Sequence, residues 1–127
     1  MKEIKFRGMD VDGNWHYGNL SHPTVRVNSH VDKGCYISNS VGMPFAYHVI
    51  MMTVGQFTGR KDKNKVEIYE GDIYRWQQAL VENGKQIYKD HETVVVFEIQ
   101  DLFYLSNRIE GCCGGVEVIG NVNQAKQ

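Results

Sequence analysis

Residues 53–74 read TVGQFTGRKDKNKVEIYEGDIY, from Thr53 to Tyr74. The segment opens with a strand-like run to Gly59. A charged turn, Arg60 to Lys65, follows, and a second strand-like run reaches Tyr69. Glu70-Gly71-Asp72-Ile73 then starts a third extended segment. Gly71 permits a sharp bend, and the Asp72 carboxylate suits a turn position where it accepts backbone N–H groups. Gly55, Gly59, Gly71 and Asp72 are the residues expected to specify the local fold.

Toward the N-terminus, residues 1–18 read as a β-hairpin. Ile4 and Phe6 alternate with Glu3, Lys5 and Arg7, the period of a half-buried strand. Asp10-Val-Asp-Gly-Asn14 is a turn cluster, and Trp15, His16 and Tyr17 resume extended structure. Val25, Val27 and Val31 favour a strand, as does Cys35-Tyr-Ile37 after the turn Lys33-Gly34. The run 45–53 is too short for periodicity to choose between helix and strand, and an extended form leading into Thr53 is expected.

Toward the C-terminus, Asn83-Gly84 lies between Ala79-Leu-Val81 and Lys85-Gln-Ile-Tyr88. Asn-Gly is the strongest short-range hairpin signal, because a two-residue turn needs positive φ at both positions. A helix from Trp76 to Asn83 competes on propensity. Centring the hairpin on that turn places Ile73 opposite Val94. Continuing this register puts Glu98 on the face of Val94 and Val96, so a β-bulge near Asp90 to Glu92 is expected. Thr93 to Ile99 and Leu102 to Leu105 read as strands, Ser106 to Gly115 as a glycine-rich loop, and Val116 to Ile119 as a final strand. Residues 123–127 read as a frayed tail. The sum is a mainly β chain of short antiparallel strands, packed as a sandwich or small barrel.

The chain has 127 residues, 42% hydrophobic and 23% charged, which supports a folded core without disulfides. A formal net charge of −1 gives none of the overall basic excess typical of nucleic-acid binders, so such a role needs a local patch. MKEIKFRGMD begins with charges and has no apolar run, so no signal peptide is expected. No stretch is apolar for long enough to span a membrane. Three cysteines, two of them adjacent (Cys112 and Cys113), are not a disulfide framework. A cytoplasmic location is expected.

The constellations that could carry chemistry are weak. Cys112-Cys113 lacks the paired spacing of a zinc site, and no histidine pair stands at helical spacing, so no metal or cofactor is expected. Cys35 with a histidine has no nucleophile signature around it. Glu67, Glu70 and Asp72 are close enough for acid–base work, yet the glycine beside Asp72 favours the structural reading. Arg60-Lys-Asp-Lys-Asn-Lys65 carries four positive charges and one negative. With Tyr69, Tyr74 and Trp76 nearby it could contact phosphates beside a stacking surface, or it could be a solvated turn.

Three blocks carry a family resemblance. The first is Val54-Gly-Gln-Phe-Thr-Gly59, continuing through Lys61-Asp-Lys-Asn64 to Glu67-Ile-Tyr-Glu-Gly-Asp-Ile73. The others are Ile4-Lys-Phe-Arg7 and Glu117-Val-Ile-Gly-Asn121. Together they resemble the YopX family of phage and prophage proteins. Residues 19–52 and 77–91 contribute nothing to the match. Lys65 stands where the family commonly has glycine, and Asn64 is expected to take up the positive φ instead.

The resemblance implies a single YopX-like domain. Residues 1–50 would form an N-terminal β part with a hairpin extension, and residues 51–122 an SH3-like barrel. It supplies no activity and no functional residues. The expected role is a non-enzymatic binding or assembly module with a protein partner, and self-association is a further expectation. A nucleic-acid accessory role is the alternative, and an enzyme with an unrecognised site the second alternative. The residues expected to bind are Arg60, Lys61, Lys63 and Lys65 on the basic turn, with Tyr69, Tyr74, Trp76 and Tyr104 as aromatic groove candidates.

Overall fold

The computed structural model describes residues 4–26, 33–38, 46–111 and 114–123. The chain forms two compact units, residues 1–57 and 58–127. The division falls inside a strand of the quoted stretch rather than at 50/51.

The first unit is an antiparallel meander. Its strands are β1 (Phe6–Met9), β2 (Trp15–Ser21), β3 (Cys35–Ser38), β4 (Ala46–Val49) and the start of β5 (Gly55–Lys61). Their order is β4-β3-β2-β1-β5. The N-terminal hairpin is present as expected, with Phe6 opposite Gly18 and Met9 opposite Trp15. Residues 46–49 are extended, and Met51–Thr53 makes one 3-10 turn. Thr53 ties that turn to β1: its Oγ1 accepts the Met9 N–H at 2.8 Å and donates to the Ile50 carbonyl at 2.6 Å. Cys35, Ile37 and Val49 form the core, with Phe6, Leu20 and Val54 packed against them. Gly8 makes this packing possible. A Cβ there would lie 2.7 Å from Cγ2 and 2.9 Å from Cβ of Val49.

The second unit contains the rest of β5 with β6 (Glu67–Tyr69) beside it. It also holds β7 (Asp72–Glu82), β8 (Lys85–Val94), helix α1 (Ile99–Glu110) and β9 (Val116–Asn121). The Asn-Gly hairpin forms, with φ of 52° at Asn83 and 76° at Gly84. Ile73 faces Val94 and Glu82 faces Lys85, the register that the turn imposes. The β-bulge, however, is not near Asp90 to Glu92. The shift lies between Ile73 and Tyr74 on the side facing β9.

The bulge expected within β8 is unnecessary because the strand stops at Val94. Residues 95–97 are irregular, and a helix begins at Ile99. Three expectations therefore fail together: the strand to Ile99, the strand Leu102 to Leu105, and the loop from Ser106. Leu102, Leu105 and Ile109 follow i, i+3 and i+7 spacing and fall on the buried side of the helix, with Leu105 fully enclosed. The core of this unit is Ile68, Tyr74, Val95, Leu105 and Val116, with Trp76, Ile109 and Val118 packed against it. The three-stranded sheet has the order β8-β7-β9 and is open, in place of the closed SH3-like barrel. A mainly β fold of short antiparallel strands is what the chain adopts.

Candidate groove beside β7 and helix α1

The basic turn is built around its one acid. Asp62 is 6% exposed. Its Oδ1 accepts the N–H groups of Asn64 (2.8 Å) and Val66 (2.9 Å), and its Oδ2 accepts that of Val118 (2.9 Å). The Lys63 N–H donates to the Val116 carbonyl at 3.0 Å, which fixes the turn to β9. Lys65, not Asn64, takes the positive φ, at 66°.

The same five-residue device occurs at Asp10–Asn14 in the first unit. Asp10 Oδ1 accepts from the N–H groups of Asp12 and Asn14. In both turns the acid's N–H bonds to the carbonyl four residues on, and its carbonyl accepts the N–H three residues on. The residue at that third position has positive φ: Gly13 (87°) in one turn, Lys65 in the other. The sequence marks Asp10–Asn14 as a turn cluster and 60–65 as a charged turn, but it singles out neither carboxylate as the organiser. The signal that could have found them is an aspartate followed by an Asn or Gly within four residues.

The site residues expected from sequence separate into three groups. Lys61, Lys63 and Lys65 are exposed on the turn, whereas the Arg60 guanidinium pairs with Glu110 of α1 at 3.0 Å. Tyr69 and Tyr74, each 2% exposed, belong to the core and present no groove face. Tyr69 donates to Glu67 at 3.0 Å, and Tyr74 accepts from Arg108 at 2.7 Å. Trp76 and Tyr104 lie near each other through Arg108, whose guanidinium is 3.9 Å from the Trp76 ring centroid and 5.5 Å from that of Tyr104. The His91 ring stacks on Trp76 at 4.7 Å, and the indole N–H donates to Thr93 at 3.0 Å. Gly59 and Gly71 have φ of 83° and 91°, and Gly55 is buried opposite Arg7. Asp72 is 2% exposed and accepts the Tyr69 N–H at 2.7 Å, the turn role expected of it.

Two adjoining hollows lie in this unit. One, of about 260 Å³, is lined by Trp76, Gln77, Gln78, Ala79, Asn107, Arg108, Gly111 and Gly115. The other, of about 240 Å³, brings in Lys63, Arg75, Asp90 and Glu117 around the same Trp76, Gln77 and Gly115. Asp90 accepts from Gln77 at 3.1 Å, and Arg75 stands 3.8 Å from Glu117. The Lys63 ammonium has no ion-pair partner among the described residues. The groove thus combines Lys63, Arg75 and Arg108, the acids Asp90 and Glu117, and the amide side chains of Gln77, Gln78 and Asn107. Sequence reasoning missed Gln77, Gln78, Asn107 and Arg108, because their convergence depends on the helix.

The first unit has a smaller hollow of about 190 Å³, lined by Trp15, His16, Tyr17, Ile37 and Tyr47. The His16 ring lies 3.9 Å from Tyr47 in a stack and shares a 2.8 Å hydrogen bond with Asp10. That bond, with the backbone N–H groups of Asn14 and Asp12, holds the Asp10 carboxyl below its ordinary value. Cys35 is buried in the core and behaves as a small apolar side chain. Cys112 and Cys113 lie outside the described residues. No group of His, Cys, Asp and Glu among the described residues could hold a metal ion. No helix among them is long and apolar enough to cross a membrane.

No curated protein matches this chain. Among solved structures it is similar to protein EF1440 from Enterococcus faecalis, at 19% identity, with 100% of this chain and 98% of that one covered and a TM-score of 0.47. The family model described as YopX protein matches residues 5–126. That span takes in the quoted stretch, the opening strand and the closing strand alike, and the chain belongs to the YopX family.

Proposed function

We propose that this chain is a non-enzymatic binding or assembly module, derived from phage or prophage genes and acting in the bacterial cytoplasm. Its recognition surface is the groove beside β7 and α1. One observation carries the reading: two hollows join through Trp76, Gln77 and Gly115 and gather Lys63, Arg75 and Arg108 around them. Of the carboxylates weighed for acid–base chemistry, Asp72 accepts the Tyr69 N–H and Glu67 accepts the Tyr69 hydroxyl. The phage origin rests on the family resemblance.

The test is co-purification from bacteria that express the intact chain, comparing it with Lys63→Glu and Gln77→Ala, both at exposed positions. A partner retained by the unaltered chain and lost by the variants supports the reading. Retention unaffected by both variants, or turnover of a small molecule by the purified chain, overturns it.

A second reading is nucleic-acid contact by the basic turn. It is favoured by the exposure of Lys61, Lys63 and Lys65 on a turn held rigid by Asp62. It requires affinity that falls steeply with salt and weakens with each lysine removed. Binding that is absent or indifferent to salt contradicts it.

A further inference from the structure

The chemical lifetime of an asparagine depends on the residue after it. The backbone nitrogen of that residue can attack the side-chain amide carbon, and a Cβ next to the nitrogen hinders the approach. Of the chain's asparagines, only Asn83 is followed by glycine.

Asn83 and Gly84 are the two-residue turn between β7 and β8, with φ of 52° and 76°. Both are exposed, as is every residue from 81 to 90. A Cβ built on Gly84 would meet nothing within 4 Å. Among the described residues, neither the Asn83 side-chain amide nor the Gly84 N–H makes a hydrogen bond. The electrophilic carbon and the attacking nitrogen are thus both solvated and unengaged. Ring closure requires Asn83 to rotate away from its turn dihedrals. That excursion costs little at this hairpin tip, where Val81 is 77% and Tyr88 56% exposed and few apolar contacts oppose local opening.

We propose that Asn83-Gly84 is a site of spontaneous deamidation, and that its rearranged product unfastens the outer β7–β8 ladder. The Gly84 nitrogen bonds to Cγ of Asn83, the Cγ–Nδ2 bond breaks, and ammonia leaves with the proton that the Gly84 nitrogen gives up. Water then opens the cyclic imide. Cleavage of the Cγ–N bond gives aspartate. Cleavage of the backbone C–N bond gives isoaspartate, whose main chain runs through Cβ and Cγ. In sum, water is consumed, ammonia is released and an amide becomes a carboxylate, with no change of oxidation state. Both products add a negative charge beside Glu82.

The two products differ in what they do to the ladder. Aspartate keeps the backbone path and tolerates positive φ. Isoaspartate inserts a methylene into the turn. Glu82 and Lys85, which flank a two-residue turn, are a hydrogen-bonded pair, and so are Leu80 and Ile87 beyond them. A longer turn backbone no longer holds these partners in register. The proposal does not depend on the groove being a binding site.

The test is to age the intact chain at neutral and mildly alkaline pH and then map its peptides with an isoaspartate-directed carboxyl methylation label. Conversion at Asn83 should outpace that at every other asparagine by about tenfold. Asn83→Gly keeps two turn residues that accept positive φ and removes the amide, so the label should vanish from that peptide. In the aged chain, amide exchange should speed several-fold at Leu80 and Ile87 and stay unchanged at the buried Tyr74. Asn83→Asp should exchange like the unaltered chain. The proposal is overturned if no label forms at position 83, or if it forms there no faster than at other asparagines. It also fails if the aged ladder stays as protected as before, or if Asn83→Asp loosens it equally, which would make charge rather than backbone length the cause.

Discussion

At the scale of single residues, the basic turn carries one misfit. Two turns of the same hydrogen-bond pattern place a positive φ three residues after an aspartate. One uses Gly13 and the other Lys65, at 66°. A side chain in that region costs about 1 kcal/mol relative to glycine. Lys65→Gly should therefore stabilise the second unit by about that amount in urea unfolding. An unchanged or lower midpoint would show that the lysine side chain makes a compensating contact. Asp10 gives a second prediction. Its carboxyl is held low, chiefly by the His16 hydrogen bond, so it stabilises the fold above the ordinary carboxylate range, and that contribution is lost as pH falls through the lowered value. In a carboxyl-carbon NMR titration, His16→Ala should move the Asp10 midpoint back up toward its usual position.

At the scale of elements, legibility followed the strength of local turn chemistry. Asn83-Gly84 was decisive because few residue pairs accept positive φ at both positions, and the register of eleven-residue β7 against β8 followed from it. Helix α1 was hidden because Thr93-Val-Val-Val-Phe97 looks like the middle of a strand, and Ser106-Asn107 looks like its end. The 3.6-residue spacing of Leu102, Leu105 and Ile109 emerges only when the two fragments are read as one. The groove was hidden with it, since Asn107 and Arg108 come from that helix. Tyr69 and Tyr74 were legible as aromatic strand residues, but sequence alternation does not say which face the helix will cover. The contact of β1 with β4 was equally illegible, as it joins Gly8 to Val49 across distant segments. Gly8→Ala should destabilise the first unit by about 2 kcal/mol through overpacking. The double variant with Val49→Ala should show coupling, with the alanine at position 8 costing less once the valine methyls are gone. Additive effects in thermal unfolding would contradict that packing.

At the scale of the whole molecule, the YopX chain is two β-rich units joined within one strand. The stretch from Thr53 to Tyr74 lies across that join. Its charged turn looks like a binding signature, and much of it instead specifies structure: Asp62 organises the turn and Asp72 the bend that opens β7. The recognition surface proposed above is the neighbouring groove, lined by Trp76, Gln77 and Arg108. The most direct measurement is photo-crosslinking in living bacteria, with a crosslinking amino acid placed in the intact chain at Gln78 or Asn107 of the groove, or at exposed Tyr17 of the first unit. The account predicts adducts to a discrete partner from positions 78 and 107 and none from position 17. Adducts from position 17 alone would contradict it.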